Sequence, residues 1–265
     1  MILNFGRGLL QNILAFTVLF LFCATTVNAS QIKSLTVLAE PNLVAALTKI
    51  SRTYSQKNAV IVSVGFASAA DLINDIDSGE PADVFISAHQ DWLLNLKQKG
   101  LIDIYNVSHI ASDDLVLVTS HDNLSAPSYL LEKNPDFEEA LQILNQNHLN
   151  LIIDNEDSSL GKYSKNIIES LQIHDIKLFT KLSEDKSSIA NLLQDNADSY
   201  AILLASQVNN RDELRILSRK KSQHLFYQAL VIAGDNMDIA REFLKFLKTT
   251  QAKNIFKENG FIVEN

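Results

Sequence analysis

The chain has 265 residues, 46% of them apolar, and 23 basic against 31 acidic residues, for a net charge of −8. That length and apolar content suffice for a sizeable buried core, while the acidic balance argues against nucleic acid and anionic membrane surfaces as partners. One cysteine, Cys23, leaves no route to an intramolecular disulfide.

Residues 1–30 read as a secretory signal peptide. Arg7 is their single charge, Ile13 to Cys23 is an apolar run too short for a typical bilayer span, and Val27-Asn28-Ala29 offers small residues for cleavage. Phe22 stands before Cys23, where a lipidation site demands a small residue, so the reading is a soluble periplasmic protein cleaved near Ala29. Removing the leader removes Arg7 and Cys23, leaving 22 basic residues against 31 acidic ones, a net charge of −9. Stability then rests on burial alone.

In the remaining chain, strand and helix signals alternate. Strands are expected over 35–39, 59–64, 83–87, 115–119, 150–153, 176–180, 200–204, 215–217 and 226–233. Leu43, Leu47, Ile50 and Tyr54 recur at helical spacing, as do Phe243, Leu244 and Leu247. Such alternation predicts an α/β fold with mostly parallel sheets flanked by helices. The segment from Val60 to Ala88 is the most telling, because β-branched Val60, Val62 and Val64, a polar turn, a helix over 69–76 and the apolar run Val84-Phe85-Ile86 make one βαβ unit. The first strand of such a unit ends at the helix amino terminus, where unpaired N–H groups gather and small anions bind.

Phe66-Ala67-Ser68-Ala69 and Pro81-Ala82-Asp83-Val84-Phe85-Ile86-Ser87-Ala88 resemble the periplasmic molybdate-binding proteins, the solute receptors of molybdate ABC importers. The resemblance extends through Leu35 to Ala39, Gly161-Lys162-Tyr163-Ser164-Lys165 and Phe243 to Phe261. It implies a type II periplasmic binding fold with two lobes, residues 31–117 plus 226–265 and residues 118–225, and a ligand cleft between them. It further implies hinge closure on a small-molecule or oxyanion ligand such as molybdate or tungstate, an ABC transporter permease as partner, a monomeric state, and neither cofactor nor metal.

The resemblance also places ligand contacts on Asn42, Ala69, Leu160, Lys186 and Leu204, with Ser68 and Ser159 beside them as hydroxyl donors. Here Asn42, Ala69 and Leu204 stand where the family carries hydroxyls. Asn42 and Ser68 are equally good helix N-caps, and Lys186 at a helix start suits solvent. Each lost charge-assisted bond removes roughly 1.5 to 3 kcal/mol, and Glu40 beside the site opposes an anion, so weak or absent molybdate binding is expected. Glu40 and Lys186 together suit a zwitterion or organic acid as the alternative solute.

A periplasmic enzyme or a regulatory protein on the same scaffold is the alternative from another class, but enzyme signals are thin. Ser87, His89 and Asp91 lie within five positions on one strand end and helix start, unlike triads assembled from separated elements, and His89 suits a helix cap near Trp92. Histidines 109, 121, 148, 174 and 224 lack metal-ligand spacing, and Gly161-Lys162 lacks the upstream glycine of a phosphate loop. Lys245, Lys248, Lys253 and Lys257 alternate with Phe243, Leu247 and Phe256, which reads as an amphipathic surface helix.

Overall fold

In the computed structural model, residues 33–173, 177–180, 189–196, 198–221 and 225–264 are described. The leader and Lys186 lie outside the described residues. The strands are β1 (Lys33–Ala39), β2 (Val60–Phe66), β3 (Val84–Ser87), β4 (Ile102–Ser112), β5 (Leu115–Ser120), β6 (Asn150–Ile153), β7 (Lys177–Thr180), β8 (Tyr200–Leu204), β9 (Leu214–Lys220) and β10 (Phe226–Ile232). The α-helices are α1 (Val44–Asn58), α2 (Ala69–Asp77), α3 (Gln90–Gln98), α4 (Ser128–Glu132), α5 (Phe137–Gln146), α6 (Ser159–Ser170), α7 (Ile189–Asp195), α8 (Met237–Leu247) and α9 (Thr250–Glu258).

Two five-stranded sheets organise these elements. One runs β2-β1-β3-β10-β4 and the other β7-β6-β8-β5-β9. In the first, β1 pairs in parallel with β2 and β3, whereas β10 pairs antiparallel with β3 and β4. The second repeats this arrangement, with β6 parallel to β7 and β8, and β5 antiparallel to β8 and β9. Both sheets are therefore mixed rather than mostly parallel. The antiparallel strands are those lying next to the two passages of the chain between sheets, at Asp113-Asp114 and between Lys220 and Phe226.

Local chemistry explains the expected elements. Leu47, Ile50 and Tyr54 bury one face of α1, with Leu43 buried just before it, and the helix ends at Ala59 in the left-handed conformation, φ 51°. Ser68 caps α2 by accepting from Asp71 N–H, and Leu72, Ile73 and Ile76 pack with Phe85 and Leu96 into a small apolar cluster. Full burial of such a side chain is worth roughly 1.5 to 3 kcal/mol. A larger cluster takes in residues of both sheets, from Leu35 and Val37 of β1 to Val116 and Val118 of β5.

One strand was not expected. β4 covers eleven residues, with Asp103, Asn106 and Ser108 breaking any clean alternation. It is an edge strand, so its sequence is free of the two-faced burial that marks β5, all six residues of which are buried.

Candidate functional site

β1 and β3 of the first sheet run parallel and end side by side, with Ala39 opposite Ile86. The residues following them, Glu40 after β1 and Ala88 after β3, therefore emerge together. Pro41 holds Glu40 in extended backbone, φ −68° and ψ 149°, since a residue before proline is kept from the helical region. The Glu40 side chain turns inward and is 3% exposed.

Four neutral donors meet its carboxylate. Oε1 accepts from the Ser87 hydroxyl at 2.6 Å, the Ala88 N–H at 2.9 Å and the Ser159 hydroxyl at 2.7 Å, while Oε2 accepts from the Ser159 N–H at 3.4 Å. Ser87 and Ala88 belong to the first sheet's half. Ser159 opens α6, which packs with the second sheet, so its N–H is one of the unsatisfied donors at a helix start. Two more bonds tie the halves nearby, from Ala70 N–H to Asp157 O at 3.3 Å and from the Tyr163 hydroxyl to Ala88 O at 3.4 Å.

The start of α6 is shaped by local sequence. The Ser158 hydroxyl accepts from Gly161 N–H at 3.0 Å and donates to Asp154 Oδ2 at 2.8 Å. A Cβ on Gly161 would lie 1.9 Å from Asn155 O, so only glycine lets the preceding loop close against the helix and present Ser159 to Glu40.

The surroundings are acidic. Burial pushes the Tyr163 hydroxyl up to about 12, with Glu40 and Asp91 adding to the effect. Burial also raises Tyr227 well above its ordinary value, reinforced by Asp113 and Glu40. His89 is held below the usual histidine range by burial, against the pull of Glu40 and Asp91, and Lys162 is the cation that acts on it.

A sequence model for "Bacterial extracellular solute-binding protein" matches residues 35–262. The chain belongs to that family. Among curated relatives, the molybdate-binding protein ModA of Escherichia coli K12 is 28% identical over 241 residues, covering 87% of this chain and 89% of the relative. The periplasmic molybdate-binding protein of Azotobacter vinelandii superposes with a TM-score of 0.68 at 17% identity, over 87% of this chain and all of that one. A structure titled as the tungstate ABC transporter from Geobacter sulfurreducens gives 0.70 at 14% identity over the same shares. These structures share the type II periplasmic binding fold.

Within this solute-binding protein, the residues singled out by sequence separate into groups. Ser159 points both its hydroxyl and its N–H into the junction. Asn42 is not a helix cap; it lies within a short 3-10 helix, Pro41–Leu43, for which Glu40 holds the cap position, and its side-chain amide donates to the Tyr227 hydroxyl. Ser68 spends its hydroxyl on Asp71, accepting from the N–H at 3.1 Å and donating to Oδ2 at 2.7 Å. Ala69, Leu160 and Leu204 are buried, and the Leu204 N–H donates to Gln207 Oε1.

Sequence reasoning gave Glu40 and Ser87 lesser parts than the structure does. The Ser87 hydroxyl donates to Glu40 and accepts from the His89 backbone N–H at 2.9 Å, so its proton is directed to a carboxylate rather than to the His89 ring. His89 takes the cap position of α3 without a side-chain cap bond, its ring 5.5 Å from that of Trp92. No group of residues suited to hold a metal ion occurs among the described residues. Among those residues no helix is long and apolar enough to cross a membrane.

Proposed function

We propose that this protein is the solute receptor of an ABC importer, released into the periplasm by cleavage near Ala29. Its two halves, one built on each sheet with the chain passing between them at Asp113-Asp114 and between Lys220 and Phe226, close on a small polar solute and hand it to the permease without transforming it. Family membership supports the receptor role, and the names of its curated relatives support an importer of the molybdate type.

The observation that carries the reading is the convergence of Ser87, Ala88 and Ser159, donors from both halves, on one buried point. Neutral hydroxyls and amides aimed at a common centre are what capture of an anion without a metal requires. Here that centre is held by the protein's own carboxylate, and its neighbours are acidic. A free molybdate or tungstate ion is accordingly a poor solute for the native chain, and a zwitterion or an organic solute offering hydrogen-bond donors to Glu40 suits it better.

Thermal shift of the leaderless protein against oxyanions, amino acids and organic acids tests the receptor reading. A solute at one hundred times its Kd adds about 2.7 kcal/mol to stability, which at this chain size raises Tm by roughly 5 to 10 °C. Failure of every solute to move Tm, together with unchanged solute uptake in a deletion strain, overturns it.

A further inference from the structure

We propose that Glu40 is a built-in occupant of an anion cradle, and that its side chain determines specificity by excluding free oxyanions from the native protein. The inference rests on the receptor reading for the site and concerns what the site refuses. A buried carboxylate is normally held by a cation or by enough hydrogen bonds to replace its hydration. Among the described residues Glu40 takes part in no ion pair within 4.0 Å, and Ser87, Ala88 and Ser159 supply its hydrogen bonds instead. Three of the four donors crowd onto Oε1. That pattern serves a compact anion, and the tether through Pro41-fixed backbone supplies the anion from within the chain.

The tether has three effects. It uses up donors that a free anion would need, and it places a negative charge where Asp91 and Asp113 already act on the same neighbouring side chains. It also closes the junction from inside, because Glu40 leaves the first sheet while Ser159 belongs to the helix packed on the second. Truncating Glu40 to alanine removes a group the size of acetate. The freed hydroxyls and amides then face a space that acetate or a tetrahedral oxyanion fills.

The experiment is isothermal titration of the folded, leaderless protein with molybdate, sulfate and acetate, in wild type, Glu40→Ala and Glu40→Gln. Expected are no saturable binding by wild type below about 1 mM, and at least about 100-fold tighter binding of one of these anions by Glu40→Ala, as three or more charge-assisted bonds imply. Glu40→Gln keeps the cradle filled without the charge and is expected to remain as poor as wild type. Tight molybdate binding by wild type overturns the proposal, as does a folded Glu40→Ala that binds none of the three. Should Glu40→Ala not fold, the wild-type amide resonances of Ala88 and Ser159 decide: they stay unmoved by molybdate up to about 1 mM, or the proposal fails. A wild type stabilised by another solute while Glu40→Ala gains nothing sinks this inference and leaves the receptor reading standing. Anion binding by Glu40→Ala, with no solute ever stabilising wild type, does the reverse.

Discussion

Ser159 grips both oxygens of the Glu40 carboxylate, its hydroxyl at 2.7 Å from Oε1 and its N–H at 3.4 Å from Oε2, so one residue of the second half anchors one residue of the first. Both are buried, and hydrogen bonds to a charged acceptor contribute roughly 1.5 to 3 kcal/mol. Ser159→Ala removes the hydroxyl and keeps the N–H. It is expected to lower stability by about that amount in urea denaturation, and by much less in a Glu40→Ala background, where the acceptor is gone. Equal losses in both backgrounds would show that Ser159 acts through packing and not through Glu40.

Gly161 sets the position of that serine. An added Cβ meets backbone atoms, Asn155 O at 1.9 Å, Asn155 C at 2.3 Å and Asp154 O at 2.7 Å, none of which can rotate away. Gly161→Ala is expected to cost at least about 1 to 3 kcal/mol, the usual range for overpacking, and to displace the α6 start from Glu40. Gly65→Ala is the contrast, since its Cβ meets only the Leu38 Cδ2, a flexible side-chain end, at 2.9 Å. A smaller effect at Gly161 than at Gly65, read from urea midpoints, would contradict the backbone argument.

How much of this was legible in the sequence depends on what each residue had to reveal. The central strands declared themselves, because β5 and β8 are buried along their whole length and so carry unbroken apolar runs. The βαβ unit from Val60 to Ala88 did so through β-branched spacing and the Ser68 cap. β4 stayed hidden because an edge strand is not held to alternation. In the site, Ser159 was visible as a hydroxyl beside the expected contact at Leu160. Glu40 was visible only as an anion beside a site for anions, because its role depends on parallel strands bringing residues 40 and 88 together, a relation between elements distant in sequence. The cue was present all the same: an acidic residue between an apolar strand and a proline, where water would not be expected to reach.

Asp113, at the passage from the first sheet to the second, is fully buried, and its Oδ2 has no hydrogen-bond partner among the described residues. Burial pushes its carboxyl up from 3.8 to about 6. A folded pKa above the unfolded one means that the fold favours the proton. The stabilisation is complete below pH 3.8, is lost as pH rises through about 6, and amounts to about 3 kcal/mol. Asp113→Asn carries no such dependence. Relative to wild type, its stability is expected to improve by roughly 2 to 2.5 kcal/mol between pH 4 and pH 8, whatever constant offset the amide introduces. A stability difference that stays flat across that range would refute the assignment.

His89 has the opposite sign. Burial holds its imidazole below the ordinary value of 6.5, overcoming Glu40 and Asp91, which favour the proton, with Lys162 acting alongside burial. The unfolded chain therefore takes up this proton before the folded chain does. Stability from His89 is present above pH 6.5 and is lost as pH falls through the folded value. With Asp113 losing stability as pH rises and His89 as pH falls, the two slopes oppose each other where their titrations overlap, near pH 6. His89→Gln removes one of the opposing slopes. Its denaturation midpoint is expected to lose less than wild type between pH 7.5 and pH 5, and an NMR titration of the His89 ring in wild type is expected to place its midpoint below 6.5. A midpoint at or above 6.5 would mean that the carboxylates beside it outweigh its burial.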